Sequence, residues 1–238
     1  SNNWSGIINY TSEDTIMTVY GDFIALNCAN NADNIIAIDA SNAQITELNC
    51  ESNAISSLIL PQNATLEVLN CASNQLLNLN LNNSSALVEL NCANNTLSDL
   101  DLSQNVALEV LDCSGNNLAI LDVNNNIALN TLICYNNPFT TQTYDDLMCS
   151  MPFAVNNTGN FFPLYDINDV NDTIFNNANA NTANIKNWNV AYFSTNDVIS
   201  TIGVWICPVD TNNFITLNVT PNEPIVFDIH SQLTTAVK

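Results

Sequence analysis

Through the middle of the chain, apolar and polar residues recur in one order. The clearest copy carries Leu66, Leu69, Cys71, Asn74, Leu76, Leu79 and Leu81. The next carry Leu87, Leu90, Cys92, Asn95, Leu97, Leu100 and Leu102, then Leu108, Leu111, Cys113, Asn116, Leu118, Leu121 and Val123. A further copy holds Leu129, Leu132, Cys134, Asn137 and Phe139, and an earlier one Ile45, Leu48, Cys50, Asn53, Ile55, Leu58 and Leu60. Phe23, Leu26, Cys28, Ile35, Ile38 and Ala40 form an irregular first coil. The cysteines at 28, 50, 71, 92, 113 and 134 are 22, 21, 21, 21 and 21 residues apart.

Each position has a physical reading. Leu69-Asn70-Cys71 alternates with the period of a strand that has one face buried. Leu79-Asn80-Leu81 predicts a second short strand on the opposite side. One coil has too little apolar surface to stand alone, and stacking buries Leu on Leu. Asn53, Asn74, Asn95, Asn116 and Asn137 fall where the chain leaves the strand. There an inward amide can satisfy backbone groups that the turn leaves unpaired. The cysteines take an inward strand position, where a free thiol acts as a small hydrophobe. At one strand step, about 4.8 Å, they are too regular and too far apart for zinc ligation.

This pattern resembles the leucine-rich repeat, L-x-x-L-x-L-x-x-N-x-L, with Cys at the third apolar place and about 23–139 covered. It is most similar to the 21-residue L-x-x-L-x-C-x-x-N-x-L-x-x-L-D-L-S-x-N repeats of bacterial cell-surface proteins. The resemblance implies a leucine-rich-repeat solenoid, α/β to mostly β: a right-handed coil with a parallel sheet on its concave side. Cys149 and Cys207 lie outside the ladder and are left to pair with each other. The C-terminal cap of the resembling family carries such a pair, which implies a disulfide here and an oxidising compartment.

A solenoid needs caps. The expected organisation is an N-terminal cap segment at 1–22, repeats at 23–142, a C-terminal cap at 143–213 and a β-strand unit at 214–238. Thr143 to Cys149 reads as a short helix with Thr143 as N-cap and acids in its first turn. Asn160 to Tyr165 reads as a strand, Asp169 to Lys186 as weakly helical, and Trp188–Tyr192 and Thr201–Cys207 as closing strands. Trp188, Trp205, Phe161 and Phe162 are the expected cap core. Asn184 to Val190 resembles the family's C-terminal cap.

The polar surface is unusual. Asparagine numbers 46 of 238 residues, while charged residues make up 11%. Nine N-x-S/T sequons occur, against about seven expected by chance at this composition, so they say little about glycosylation. Lys186 and Lys238 are the only basic side chains besides His230, and the net charge is −21. Phosphate neutralisation of nucleic acid and docking on anionic membranes are excluded for want of cations. No apolar run approaches the ~18 residues of a spanning helix. No signal peptide is recognisable, which suggests a mature or a cytosolic chain. One histidine and no arginine leave no nucleophilic triad or phosphate cradle, so an enzyme is not expected.

Two candidate sites remain within the solenoid and its cap. The strand alternation places Glu47, Val68, Glu89, Val110 and Thr131 on the exposed concave face. Two further columns run Asn49, Asn70, Asn91, Asp112, Ile133 and Glu51, Ala72, Ala93, Ser114, Tyr135. Solenoids bind partners on this face, and Glu47, Glu89, Asp112, Ile133 and Tyr135 are the candidate contacts for a protein or glycan. Asp166, Asn168, Asp169 and Asp172 are candidate ligands for Ca²⁺, as hard oxygens with no neutralising base.

The expected function is an extracellular interaction or adhesion module, secreted or on the cell surface, by resemblance to bacterial adhesin-like repeat proteins. A second reading is a subunit of a head-to-tail filament. The Phe214–Ile229 segment is like a strand unit that precedes the first repeat in the resembling family. Adding it to a neighbouring copy would bury Phe214, Ile215, Leu217, Ile225 and Phe227.

Overall fold

The computed structural model describes residues 24–31, 35–154, 159–169, 171–201 and 207. The strand unit at 214–238, Trp205, His230, the whole N-terminal cap segment at 1–22 and all but the two ends of the expected closing strand at 201–207 lie outside these residues.

Around one inward leucine in each coil, the chain runs as a three-residue strand. These are β1 (Ala25–Asn27), β3 (Glu47–Asn49), β5 (Val68–Asn70), β6 (Glu89–Asn91), β7 (Val110–Asp112) and β8 (Thr131–Ile133). They pair in parallel, with Leu26, Leu48, Leu69, Leu90, Leu111 and Leu132 in one register row. The cap adds β9 (Gly159–Leu164) and β10 (Trp188–Tyr192), for an eight-stranded sheet in the order β1-β3-β5-β6-β7-β8-β9-β10. The inward leucines and the cysteines from Cys50 onward form one continuous buried core. Each buried leucine contributes on the order of 2 kcal/mol relative to exposure.

The opposite side differs from expectation. Among the described residues a second sheet is formed by β2 (Ala37–Asp39) and β4 (Ser57–Ile59) alone. Leu79–Leu81 and its later equivalents are not strands. Their leucines still point inward, but among the described residues the coils share one backbone bond per step there. These run from Gln75 N–H to Ile55 O, Thr96 to Leu76 and Asn117 to Leu97. Asn80, Asp101 and Asp122 then each accept the N–H two residues on, which turns the chain, as Asp39 does at the end of β2.

The asparagine column stitches the coils. Asn95 donates Nδ2 to the carbonyls of Cys71, Cys92 and Ala93, while its Oδ1 accepts the Leu76 N–H at 3.0 Å. Asn53, Asn74, Asn116 and Asn137 repeat the arrangement. The residue before each asparagine is left-handed: Ser52, Ser73, Asn94, Gly115 and Asn136 have φ between 53° and 63°. At Gly115 a Cβ would stand 2.5 Å from Asn94 Oδ1, so glycine fits where the turns approach closely.

The cap opens with α1 (Thr141–Ser150), whose N-cap is Thr140: its Oγ1 accepts the Thr143 N–H. The helix therefore starts earlier than expected from Thr143, whose hydroxyl donates instead to Ala119 O. No acid lies in its first turn. Tyr144 packs edge-on against Phe139 at 5.3 Å and Phe175 at 5.0 Å, closing the last coil. The weakly helical stretch resolves into α2 (Asp172–Asn176) and α3 (Asn181–Ile185). Trp188 and Phe161 are buried as expected, whereas Phe162 is only half-buried.

A sheet face ending in an aromatic cluster

Successive side chains along a strand point to opposite faces, so each coil presents the same positions outward. Glu47 and Glu89 are exposed; Val68, Val110 and Thr131 are half-buried. Asn49, Asn70, Asn91 and Asp112 are half-buried, and each carbonyl or carboxylate Oδ1 accepts the N–H two residues on. This column thus ties down the strand exits. The third column is not an exposed one. Ala72 (7%), Ala93 (4%) and Ser114 (1%) are buried, because the chain turns inward there toward the asparagine ladder.

At the C-terminal end the face changes character. Asp112 accepts both the Ser114 N–H at 3.0 Å and the Ser114 hydroxyl at 2.6 Å. Burial pushes the Asp112 carboxyl above the usual range, and the two bonds from Ser114 only partly oppose this. Tyr135 lies beside Ser114, and its phenol is pushed up chiefly by burial, with a smaller contribution from the Asp112 charge. Ile133, the other expected anchor, stands next to Asp112 across β7 and β8.

Tyr135 does not stand alone. Its ring centroid is 5.3 Å from Tyr165 and 5.2 Å from Phe193, and Phe193 is 5.7 Å from Phe162. Tyr165 is 45% exposed and Phe193 39%. β9 carries Phe162 and leads into Tyr165; β10 leads into Phe193, whose N–H donates to Leu164 O. Sequence reasoning missed Tyr165 and Phe193 as members of this face. Alternation places Phe161 inward and Phe162 outward, but the parallel pairing of β10 with β9 that returns Phe193 has no local signal.

The Ca²⁺ expectation is not supported. Asp166 accepts the Asn168 N–H, Asp169 accepts the Tyr165 and Asn171 N–H groups, and Asp172 accepts from Tyr192 and Asn176. Asp166 and Asp169 thus hold turns, and Asp172 ties two side chains of the cap together. Among the described residues no three acidic, histidine or cysteine side chains form a cation site. The ladder cysteines 28 to 134 are free, and burial pushes Cys50 to about 12 and Cys71, Cys92 and Cys113 well above the ordinary thiol range. Cys149 and Cys207 form a disulfide, with Cα atoms 5.3 Å apart.

The stacked coils, inward leucines and asparagine ladder define a leucine-rich-repeat protein. Among solved structures the chain is similar to the functional domain of InlJ from Listeria monocytogenes, which includes a cysteine ladder. That likeness has 27% identity and a TM-score of 0.50, and covers 63% of this chain and 37% of that one. It is also similar to an internalin (InlF) from the same organism at 19% identity and TM-score 0.41, covering 54% of this chain and 38% of that one. The chain thus spans well under half of either. No family model and no curated protein matches it. The fold is that of a leucine-rich-repeat solenoid, and the neighbour with a cysteine ladder is bacterial. No helix among the described residues is long and apolar enough to cross a membrane.

Proposed function

We propose that this chain is the protein-interaction module of a secreted or surface-displayed bacterial protein, binding its partner on the exposed face of the parallel sheet. The observation that carries the reading is the aromatic cluster of Tyr135, Tyr165 and Phe193 at the end of that face. Exposed aromatic side chains grouped on a solenoid's sheet face are the composition of a binding hot spot. From β1 to β7 the face lacks aromatic side chains, and its column of Asn49, Asn70, Asn91 and Asp112 is tied into strand exits as a rigid support. The likeness to a bacterial cysteine-ladder repeat domain and the Cys149–Cys207 bond, stable in oxidising surroundings, support the extracellular setting.

The test is a binding screen of the purified chain on an array of extracellular proteins and glycans. A variant with Glu89→Lys and Tyr165→Ala alters the sheet face. A second, with Asp101→Lys and Asp122→Lys, alters the opposite side. Binding lost in the first and kept in the second is the expected result. Equal loss in both, or loss only in the second, overturns the reading.

A further inference from the structure

Resting on that reading, we infer that the Tyr135–Tyr165–Phe193 cluster receives an arginine or lysine side chain of a protein partner. The rings sit 5.2–6.3 Å apart, in contact with each other. They leave no room for a guest between them, so a guest lies across their exposed faces. The electron-rich face of a tyrosine or phenylalanine attracts a cation, and the planar guanidinium stacks on it.

Charge selects the same guest. The chain carries −21 overall, and Lys186 is the only basic side chain among the described residues. Its Nζ is committed to Cys149 O at 2.6 Å and Met151 O at 2.7 Å, inside the cap. Nothing basic among these residues therefore competes for the rings. Asp112 stands one strand from Ile133, and its charge is felt at the Tyr135 phenol. A cation over Tyr135 brings the carboxylate the partner that burial denies it. Glu89, on the adjacent strand β6, extends the negative field along the approach.

A second copy of this chain is a poor source of the guest, because it has no arginine and two lysines. The occupant is a different protein with an exposed basic side chain. A glycan is the rival guest, since sugars also lie on aromatic faces, but a neutral sugar gains nothing from Asp112 and the acidic field.

The test uses the full chain, isotope-labelled, titrated in about 0.15 M salt. The probes are a glycine-spaced tetra-arginine peptide, the same peptide with neutral citrulline at each arginine, and chitotetraose. The arginine peptide is expected to shift the ring resonances of Tyr135, Tyr165 and Phe193 saturably, and citrulline to weaken binding by about tenfold or more. A Tyr165→Ala, Phe193→Ala variant, checked for unchanged ladder amide shifts, should lose about tenfold, whereas Asp101→Asn, on the opposite side of the coils, should change affinity less than about twofold. Citrulline binding as tightly as arginine overturns the inference. So do shifts scattered over acidic residues, or tighter binding of chitotetraose on the same rings. The two readings fail separately. A sheet-face partner with no preference for arginine removes only this inference. Arginine binding on the rings without any sheet-face-dependent partner removes only the module.

Discussion

The repeats and the cap solve the same problem by opposite means. In the repeats, each coil meets a copy of itself, so one side chain per position serves every interface. Asn74, Asn95 and Asn116 make the same four bonds to the same backbone groups in successive coils. In the cap nothing repeats. Asp145 is buried and accepts from the Asn179 backbone at 2.7 Å and its side chain at 3.1 Å. Lys186 holds the end of α1, Trp188 donates to Pro152 O, and a disulfide leaves Cys149. A repeated interface spreads stability over many equal contacts. A unique one concentrates it in a few, and it is at the border of the two that the exposed aromatic side chains gather.

The largest expected effect breaks the repeated side. Asn116→Ala leaves the Leu97 N–H without its acceptor and takes one of two donors from each of the Cys92, Cys113 and Ser114 carbonyls, which keep Asn95, Asn137 and the Asn94 N–H. We expect a loss of about 4 kcal/mol in denaturant unfolding, from one unsatisfied buried N–H, three lost bonds to buried carbonyls and the void left by the amide. Asn53, at the thinner end and bonded to half-buried neighbours, should cost about half as much when replaced by Ala. Equal losses at the two positions would mean that the ladder is not a cooperative element.

Next comes the unique side. The Cys149–Cys207 bond closes a stretch of 58 residues. Its removal by Cys149→Ala with Cys207→Ala should cost roughly 3 kcal/mol, chiefly by freeing the unfolded chain. The expected signature is regional. Hydrogen exchange should rise in α1, β9 and β10 and stay unchanged at β5 to β7, since solenoid stability is carried by nearest neighbours. Uniform acceleration across all coils would show the two regions to be one unit.

The same contrast governs what could be read in advance. Leu66 to Leu81 announced a coil because every later coil repeats its environment, and Asn74 announced a backbone bridge because a polar residue recurs at an inward position. A second inward column escaped notice. Asn105 donates to Leu81 O and Ser84 O, and Asn126 to Leu102 O and Asn105 O. With serine at 84 and 46 asparagines in the chain, that column does not stand out from composition. Thr140, Thr141 and Thr143 compete for one cap, and only Ala119, brought near by the fold, decides against Thr143. Tyr165 and Phe193 became neighbours of Tyr135 through a strand pairing that no periodicity encodes.

A smaller effect sharpens the role of the cysteines. Cys92 is fully buried at an inward position of the repeat. Cys92→Ser should destabilise by about 2 kcal/mol, because a hydroxyl is buried without a ready partner. Cys92→Ala should cost about 1 kcal/mol, since it leaves only a small void. Thermal melts that coincide for both variants and the parent would remove the packing role assigned to the ladder thiols.

The smallest effect lies at the border, and it sets stability against binding. Asp112 occupies a column where Asn49, Asn70 and Asn91 perform the same strand-exit bond without a charge. Burial raises the Asp112 pKa above its unfolded value, so the folded state takes up the proton more readily. The contribution to stability is therefore greatest below the unfolded pKa of about 3.9, and it falls as pH rises through the folded pKa. At neutral pH, Asp112→Asn keeps an oxygen for the Ser114 N–H and hydroxyl and removes the buried charge. We expect a gain of roughly 0.5 kcal/mol, together with a flatter stability profile between pH 4 and 7 than that of the parent. The same variant should bind the tetra-arginine peptide about threefold more weakly, because the cation over Tyr135 loses the Asp112 charge. A variant that is more stable and binds less well would show that the charge is kept at this position for a guest. A variant that is less stable, with an unchanged pH profile, would show that the carboxylate belongs to the strand exit itself and that the border is built like the rest of the ladder.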